Sequence, residues 1–315
     1  MSDELTDAPA ESAGDRHRPA GQPTADTFGG LTVLQDVDHP KVPVIGPEEY
    51  FQRDVHDGAT DVAIVTRALE LGLNVLLKGP PGVGKSFLCQ YLCARTNRPL
   101  YRVTLSETTY KEDLLGQMHL ITGEGGDSVT QWVDGPLTRA AREGAVLLLD
   151  EINAADSNTA AALNAVMEQK RTRSLTIPQT GETITPHEQF RVVATANPGF
   201  QGTYELNDAF EDRFRHVKLD YLPTDLEVEV ILRRTDLDAE RKEELRELVE
   251  FAGRLRQAYA DGELSTPVTT RGLVRIAMYI QDDFMDLRTA TRSELLARVD
   301  AHDESLVETL IDKQL

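Results

Sequence analysis

The stretch Gly79-Pro80-Pro81-Gly82-Val83-Gly84-Lys85-Ser86 decides the fold, because it has the G-x(4)-G-K-S spacing of a phosphate-binding loop. Its glycines let backbone N–H groups approach phosphates, Lys85 supplies a positive charge, and Ser86 offers a hydroxyl ligand to Mg²⁺. The flanking residues give the expected context, since an apolar run at Leu73–Lys78 predicts a strand before the loop and Ser86–Arg95 predicts a helix after it. We therefore expect a site for a nucleotide and Mg²⁺.

A second apolar strand, Val146–Leu149, ends in two adjacent carboxylates, Asp150 and Glu151. Burying such a strand is costly unless a cation or a hydrogen-bond donor meets the paired acids. Asp150 would hold Mg²⁺, usually through water, and Glu151 would orient and deprotonate the attacking water. The alternative is an acidic turn that caps a core strand, but the phosphate-binding loop upstream favours the catalytic interpretation.

Three further motifs follow in order along the chain. The apolar strand Val192–Ala196 ends at Asn197, whose amide can bond the attacking water or the γ-phosphate. Arg213 and Arg215 flank the start of the next strand, and an arginine that reaches a neighbour's nucleotide accelerates phosphoryl transfer by several orders of magnitude. Arg271 opens a later helix, where it could report the nucleotide state. Taken singly, each has an ordinary alternative, a turn for Asn197 and solvated surface charge for the arginines.

Short apolar runs alternate with helical stretches, which predicts an α/β fold with a mostly parallel sheet. Beyond Tyr221 only helical patterns continue. We therefore predict a disordered acidic tail over residues 1–27, an α/β core over 28–221 and a small all-helical lid over 222–315. The predicted strands are Asn74–Lys78, Leu100–Leu105, Ala145–Asp150, Arg191–Ala196 and His216–Leu219, and the predicted lid helices are Leu226–Arg234, Ala239–Ala260, Thr270–Gln281 and one from Arg292 onward.

The charge balance limits the classes of partner. The 315 residues carry 33 basic and 53 acidic side chains, for a formal net charge of −20, and only eight of the basic residues are lysines. A field of this sign repels phosphate backbones, so we expect no nucleic-acid or anionic-membrane binding. An acidic, lysine-poor surface also stays hydrated in concentrated salt. The composition therefore gives the hypothesis of a high-salt cytoplasm, against the alternative of an ordinary acidic protein.

The sequence gives no sign of export or of a membrane anchor. Its first 26 residues are acidic and rich in proline, glycine and alanine, and they lack the apolar segment of a signal peptide. No apolar run approaches the roughly 18 residues of a membrane span. Cys89 and Cys93 are expected to be buried thiols on a helix, because a disulfide within one helical turn has poor geometry. We therefore expect a cytoplasmic protein.

In this order the motifs resemble those of an AAA-plus ATPase. Their details are similar to the MoxR group, and within it to the CbbQ, NirQ and NorQ type. The segments that carry this resemblance are Trp132–Leu137, Gly144–Asn153 and Ala196–Pro198, and it covers about Glu48 to Ala301. It implies a P-loop core with a mostly parallel sheet, followed by the helical lid.

The resemblance also places inserted hairpins near residues 114–133 and 173–188, with Gly123–Asp127 and Gln179–Gly181 as their turns. In a ring these hairpins would face the central pore or a client protein. Ordinary surface hairpins are the alternative, because nothing in the two segments is chemically distinctive.

Carried over by position, the resemblance gives each motif residue a role. Ser86 and Asp150 would hold Mg²⁺, Glu151 would be the catalytic base, and Asn197 would be the first sensor. The residues expected to bind ATP are Gly79, Pro80, Pro81, Gly82, Val83, Gly84, Lys85, Ser86, Phe87 and, as the second sensor, Arg271.

The remaining roles concern assembly. Arg213 would be the finger that closes the neighbouring subunit's site, with Arg215 as the alternative. The resemblance implies a homo-oligomeric ring, with a hexamer as the expected size. In that group the ATP cycle remodels or activates a client protein, often through a partner with a von Willebrand A-type domain. Maturation of a metalloenzyme is the expected context.

Three other functions stay open on the sequence. A nucleic-acid-linked motor on the same core is disfavoured by the charge of −20. A GTP-using relative is disfavoured because Ala196–Pro198 lacks an acidic residue that would read guanine. A nucleotide-binding scaffold without turnover is disfavoured by the intact Asp150–Glu151 pair.

Overall fold

The structure is a computed structural model that describes residues 26–315 apart from 36, 123–127, 169–171, 198–205 and 207. Residues 1–25 of the predicted acidic tail and the predicted turn Gly123–Asp127 lie outside the described residues, whereas Thr27, the last residue of the predicted tail, lies in a strand. In chain order the strands are β1 (Thr27–Phe28), β2 (Leu31–Thr32), β3 (Asp54–His56), β4 (Ala59–Thr60), β5 (Asn74–Lys78), β6 (Leu100–Thr104), β7 (Gly116–Thr122), β8 (Ser128–Asp134), β9 (Val146–Asp150), β10 (Leu175–Ile177), β11 (Glu182–Ile184), β12 (Arg191–Ala196) and β13 (Phe214–Lys218).

Helices cover the sheet and then make up the C-terminal part of the chain. They are α1 (Asp61–Glu70), α2 (Lys85–Arg95), α3 (Lys111–Leu115), α4 (Pro136–Glu143), α5 (Ser157–Met167), α6 (Asp208–Glu211), α7 (Thr224–Arg234), α8 (Lys242–Ala260), α9 (Thr270–Ile280), α10 (Leu287–Leu296) and α11 (Glu304–Gln314).

The central sheet has five strands in the order β13-β5-β12-β9-β6. Each neighbouring pair in it is parallel. This topology confirms the predicted α/β fold class of a P-loop protein. Because parallel strands end at the same edge of a sheet, the residues that follow β5, β9 and β12 come together there.

The three central strands of the sheet, β5, β12 and β9, are buried on both faces, which explains why they are continuous apolar runs. In β9, Leu147 and Leu149 belong to one hydrophobic cluster and Val146 and Leu148 belong to another. This division follows from the alternation of side chains along a strand. Helix α2 packs on the second face, where Cys89 and Cys93 are free and buried, as expected.

Beyond β13 the described chain is helical and has a hydrophobic cluster of its own, centred on α7, α8 and α9. This part confirms the predicted helical region, whereas the exact domain boundary stays a prediction. The helix predicted from Arg292 onward is wrong in its bounds, because α10 begins at Leu287 and the chain leaves helical geometry before α11. In that gap the Asp303 carboxylate accepts hydrogen bonds from the backbone N–H and hydroxyl of Ser265, 2.8 and 2.5 Å away.

Two antiparallel hairpins lie in the segments where inserts were expected. Strands β7 and β8 pair in register from Gly116 opposite Asp134 to Thr122 opposite Ser128. Strands β10 and β11 form a shorter pair. No helix within the described residues is long and apolar enough to cross a membrane.

Candidate active site

The phosphate-binding loop joins β5 to α2, and its shape requires glycine at two positions. Gly82 and Gly84 have φ angles of 80° and 92°, in the left-handed region that glycine adopts without strain. A Cβ atom on Gly82 would lie only 2.7 Å from the Cβ of Thr269, which belongs to the helical part. The loop is therefore in direct contact with the lid.

Lys85 lies at the bottom of this loop and is only 7% exposed. Its Nζ donates to the carbonyl oxygens of Gly79 at 2.8 Å and Pro80 at 2.7 Å. Burial is the main reason that the pKa of Lys85 falls to about 8, with Asp150 acting to raise it and Arg271 acting to lower it. A phosphate group would stabilise the charged form of this lysine, since it would bring an opposite charge into a site of restricted solvation.

Asp150 is almost fully buried at the end of β9, and both of its oxygens are engaged. Ser86 Oγ donates to Oδ1 at 2.5 Å, and Thr195 Oγ1 donates to the same oxygen at 3.0 Å. Arg102 Nε donates to Oδ2 at 2.5 Å and balances the carboxylate charge. A hydroxyl and a carboxylate in contact are the oxygen ligands that Mg²⁺ prefers, so the residues present fit this ion.

Glu151 follows Asp150 in an uncommon backbone conformation. Its φ and ψ angles are 58° and 45°, the left-handed region that non-glycine residues seldom adopt. The backbone N–H of Glu151 donates to Thr195 Oγ1 at 3.1 Å, and this bond helps to hold the conformation. The side chain is exposed in the cleft beside Asp150. Strained residues of this kind concentrate at functional sites.

Asn197 lies just beyond the end of β12, beside β9. Its backbone carbonyl accepts a hydrogen bond from Asn153 Nδ2 at 3.1 Å. Its side-chain Oδ1 is buried and has no hydrogen-bond partner within the described part of the chain. A buried acceptor of this kind is suited to hold a water or another donor.

These residues line one cleft of about 770 Å³ between the α/β core and the lid. This volume lies within the usual range for sites that bind small molecules. Gly79 and Pro80 contribute the carbonyl oxygens that Lys85 contacts. The predicted site residues that line the cleft itself are Pro81, Gly82, Val83, Gly84, Lys85, Ser86, Phe87, Asp150, Glu151, Asn197 and Arg271.

Arg213 lies elsewhere. Its backbone carbonyl accepts from Asn74 Nδ2 at 3.0 Å, which places it at the amino end of β5, whereas the phosphate-binding loop follows the carboxyl end. A five-residue strand separates these ends by roughly 16 Å. The guanidinium donates to Glu168 Oε1, with Nη2 at 2.7 Å, and Arg215 is exposed nearby. Both arginines are thus outside their own cleft, and the choice between them stays a prediction.

The structure adds cleft residues that sequence reasoning missed. Arg102 is the most important of them, because it pairs with Asp150 from the neighbouring strand β6. No motif marks the added residues, and only the fold brings them to the cleft. The additional lining residues that bear most on the site are Tyr50, Phe51, Arg53, Arg102, Arg234 and Met278.

A phosphate-binding loop, an acid-tipped strand of the same parallel sheet and a helical lid around one cleft define a P-loop protein of the AAA-plus class. The sequence matches the model of an AAA domain (dynein-related subfamily) over residues 74–214 and the CbbQ/NirQ/NorQ C-terminal model over residues 227–313. The chain belongs to the CbbQ/NirQ/NorQ type of MoxR AAA-plus ATPases.

The chain is similar to individual proteins over most of its length. The denitrification regulatory protein NirQ of Pseudomonas aeruginosa is 34% identical over 253 residues, which cover 80% of this chain and 92% of that protein. An uncharacterized protein of Staphylococcus haemolyticus is 32% identical over 244 residues, covering 77% and 90% of the two chains. A solved structure from Cytophaga hutchinsonii aligns with a TM-score of 0.43 and 21% identity, over 78% of this chain and 86% of that one.

Proposed function

We propose that this protein binds Mg²⁺ and ATP in the cleft between core and lid and hydrolyses the ATP. The observation that carries the proposal is that four side chains converge on one cleft. They are the buried cation of Lys85, the hydroxyl of Ser86, the carboxylate of Asp150 that it contacts, and the exposed carboxylate of Glu151. A nucleotide-binding scaffold would need the first three groups. It would not need a carboxylate in a costly backbone conformation next to them.

In this proposal the protein positions its groups rather than forming a covalent intermediate. The ammonium of Lys85 exchanges the carbonyl oxygens of Gly79 and Pro80 for phosphate oxygens. Ser86 and Asp150 hold Mg²⁺, which when bound would neutralise charge that develops on the phosphates. Glu151 accepts the proton of the attacking water.

The remaining polar groups of the cleft orient the attacking water and sense the bound phosphates. The amide of Asn197 orients the attacking water, for which its buried Oδ1 is a free acceptor within the described residues. Arg271, on the lid helix α9, senses the phosphates from the other side of the cleft.

The ATP cycle is expected to remodel or activate another protein. A homo-oligomeric ring, most simply a hexamer, would place the finger arginine of one subunit at the nucleotide of the next. The name of the Pseudomonas relative, a denitrification regulatory protein, supports a role in activating a target enzyme. We extend this to a client protein, reached through a partner with a von Willebrand A-type domain, and to metalloenzyme maturation. The activity needs no nucleic acid in this proposal, because the net charge of −20 repels phosphate backbones. We place it in the cytoplasm, as the first residues of the sequence lead us to expect.

Two substitutions test the ATPase proposal. Lys85→Ala is expected to abolish nucleotide binding, whereas Glu151→Gln is expected to bind ATP and hold it unhydrolysed. The measurements are the affinity for a fluorescent ATP analogue and the rate of phosphate release. Normal phosphate release by Glu151→Gln would show that Glu151 is not the base. Wild-type protein that binds ATP without releasing phosphate would favour the scaffold instead.

The same variants provide a test of the client proposal. Glu151→Gln held in ATP is expected to retain a client that wild-type protein releases, and Lys85→Ala is the matched control that cannot enter the ATP state. Proteins enriched on Glu151→Gln relative to Lys85→Ala are then identified by mass spectrometry. A metalloenzyme or a von Willebrand A-type protein among them supports the proposal, and equal recovery on both variants contradicts it.

A further inference from the structure

Tyr221 lies at the junction between the core and the lid and contacts both. Its hydroxyl donates to the carbonyl oxygen of Pro81, in the phosphate-binding loop, at 3.1 Å. The guanidinium of Arg256, from lid helix α8, lies over the Tyr221 ring with its carbon 3.6 Å from the ring centroid. One aromatic side chain therefore joins the loop that holds phosphate to a charged group of the lid.

Arg256 forms a buried ion pair with Glu227 of helix α7. The Glu227 side chain is fully buried and that of Arg256 is 11% exposed, and two hydrogen bonds of 2.8 and 2.7 Å connect them. Buried ion pairs contribute little net stability, because desolvation offsets the Coulomb attraction, but the loss of one partner is costly. The pair is therefore better explained by the geometry that it fixes than by stability.

What the pair fixes is the beginning of helix α9. Arg256 Nε donates to the carbonyl oxygen of Val268 at 2.8 Å, and Thr270 Oγ1 donates to Glu227 Oε1 at 2.6 Å. Thr269 caps the helix through the N–H of Gly272 at 3.2 Å. The next residue after Thr270 is Arg271, which lines the cleft.

The contacts thus form a continuous path from the phosphate-binding loop, through Tyr221, Arg256 and Glu227, to the residue before Arg271. We propose that Tyr221, Arg256 and Glu227 are positioning residues that couple occupancy of the phosphate-binding loop to the placement of Arg271. This inference rests on the proposed nucleotide function of the cleft. None of the three side chains lines the cleft as the described residues define it, so they act through Pro81 and Arg271 rather than on the nucleotide.

Binding of phosphate is expected to change the contacts at the beginning of this path, in the phosphate-binding loop. Lys85 donates to the carbonyl oxygens of Gly79 and Pro80, directly before the carbonyl that Tyr221 contacts. When phosphate attracts the ammonium, these carbonyls lose their donor and the loop must adjust. A shift at Pro81 is transmitted to Tyr221, since the hydroxyl follows its acceptor. The stacked guanidinium and its bound carboxylate then carry the shift to the start of α9.

A double-mutant cycle in the full chain tests the coupling. Tyr221→Phe removes only the hydroxyl, and Arg271→Ala removes the far end of the path. Affinity for a fluorescent ATP analogue with Mg²⁺ is measured for the wild type, both single variants and the double variant. We expect Tyr221→Phe to weaken binding about threefold to tenfold in the wild-type background and to have almost no effect once Arg271 is absent.

The control and the structural readout separate coupling from simple loss of packing. Tyr279→Phe makes the same chemical change on α9, at a half-exposed tyrosine outside the path, and should leave the affinity unchanged. Thermal unfolding without nucleotide should be nearly equal for the wild type and Tyr221→Phe. Glu227→Gln, checked for folding in the same way, should show the same dependence on Arg271 as Tyr221→Phe.

The outcomes distinguish failure of this inference from failure of the proposed function. If the two substitutions weaken binding by independent factors that multiply in the double variant, the coupling is overturned while the nucleotide site stands. If Arg271→Ala leaves the affinity unchanged, the path has no functional end point and the inference is also overturned. If Lys85→Ala still binds the analogue, the proposed function itself fails.

Discussion

Lys85 and Asp150 are buried opposite charges whose partners must change when the cleft is occupied. Lys85 is held by two backbone carbonyls, and Asp150 by two hydroxyls and Arg102. Carbonyl oxygens are weaker partners for an ammonium than phosphates are, because they carry no net charge. The site is therefore organised before its ligand arrives, yet the Lys85 ammonium is held by backbone carbonyls that phosphate oxygens can replace.

The lowered pKa of Lys85 predicts how affinity depends on pH. Above about pH 8 the lysine of the nucleotide-free protein is increasingly neutral. Phosphate favours the charged form, so binding there must take up a proton, and affinity should fall by up to about tenfold per pH unit. Below that pH this group is already charged and contributes no pH dependence. Calorimetry in two buffers of different ionisation enthalpy, at pH 7 and pH 9, measures the proton uptake.

The Arg271→Ala variant tests whether the pH dependence of nucleotide affinity comes from Lys85. Arg271 is one of the charges that lower the pKa of Lys85, so Arg271→Ala should move the onset of proton uptake to higher pH.

The free energy of unfolding should change with pH in the opposite direction to the nucleotide affinity. Between about pH 8 and 10.5 the unfolded chain binds more protons at this lysine, so its contribution to the free energy of unfolding rises with pH. Equal affinity at pH 7 and pH 9 would contradict the lowered pKa.

Among single residues, the sequence identified the site residues that belong to contiguous motifs. It missed those that reach the site from other parts of the chain. Lys85, Ser86 and Asp150 come together because β5 and β9 are parallel strands on either side of β12 and end at the same edge of the sheet. Arg102 sits in the middle of a strand and Tyr221 at a junction, where no local pattern marks them. Their roles depend on strand order and on the approach of the lid, which short-range spacing does not encode.

Among the elements, the buried strands are the best predicted. Strands β5 and β12 have the predicted bounds, because their apolar runs end sharply before Gly79 and Asn197. The strand predicted at His216–Leu219 begins two residues earlier, at Phe214. This strand, β13, lies at the edge of the sheet and carries exposed Arg215 and His216, so its apolar pattern is broken. Edge strands with one solvated face give a weaker signal than central ones.

The amino edge of the sheet is held by a buried arginine, which allows a prediction at the scale of the element. Arg191, at the start of β12, is 3% exposed. Its Nε donates to the carbonyl oxygen of Leu69 at 2.5 Å, and its Nη1 donates to those of Glu188 at 2.7 Å and Phe190 at 2.9 Å. Arg191→Met should lower the free energy of unfolding by about 2–4 kcal/mol, because it removes the charged donor of three hydrogen bonds, two of them to the buried carbonyl oxygens of Leu69 and Phe190.

Urea denaturation measures this change. The control is Arg288→Met on helix α10, where the arginine is exposed and the same substitution should change stability by less than about 0.5 kcal/mol. Nucleotide affinity of folded Arg191→Met should stay near that of the wild type, since the residue lies at the edge of the sheet opposite the cleft. A loss of affinity without a loss of stability would show that this edge communicates with the site.

At the scale of the whole molecule, the net charge of −20 predicts a dependence of stability on salt. Self-repulsion destabilises a compact acidic chain, and salt screens it, since the Debye length falls from about 10 Å at 0.1 M to about 3 Å at 1 M. The melting temperature should therefore rise between 0.1 and 1 M NaCl by about 2 °C, roughly what 1 kcal/mol gives a chain of this size. Sucrose is the control, because it favours burial without screening. An unchanged melting temperature would contradict the high-salt hypothesis.

The proposed ring leads to a complementation experiment. Glu151→Gln lacks the proposed base but keeps the proposed finger, whereas Arg213→Ala keeps the proposed base but lacks the proposed finger. Each variant alone should release phosphate far more slowly than the wild type, because every site in a uniform ring misses one group. In a mixed ring, an Arg213→Ala subunit next to a Glu151→Gln subunit has a complete site. Random mixing makes such sites about one quarter of the total, so an equimolar mixture should recover about that fraction of wild-type turnover.

The same mixture distinguishes the two candidate fingers and tests the assembly. If Arg215→Ala complements Glu151→Gln and Arg213→Ala retains normal turnover, then Arg215 is the finger and Glu168 only anchors Arg213. Dilution gives an independent check, since turnover per subunit should fall as the ring dissociates. A mixture no more active than the sum of its parts, with turnover independent of concentration, would mean that each chain completes its own site. Arg213 would then have to cross the roughly 16 Å length of β5 to reach its own cleft, and the fold offers it no such path.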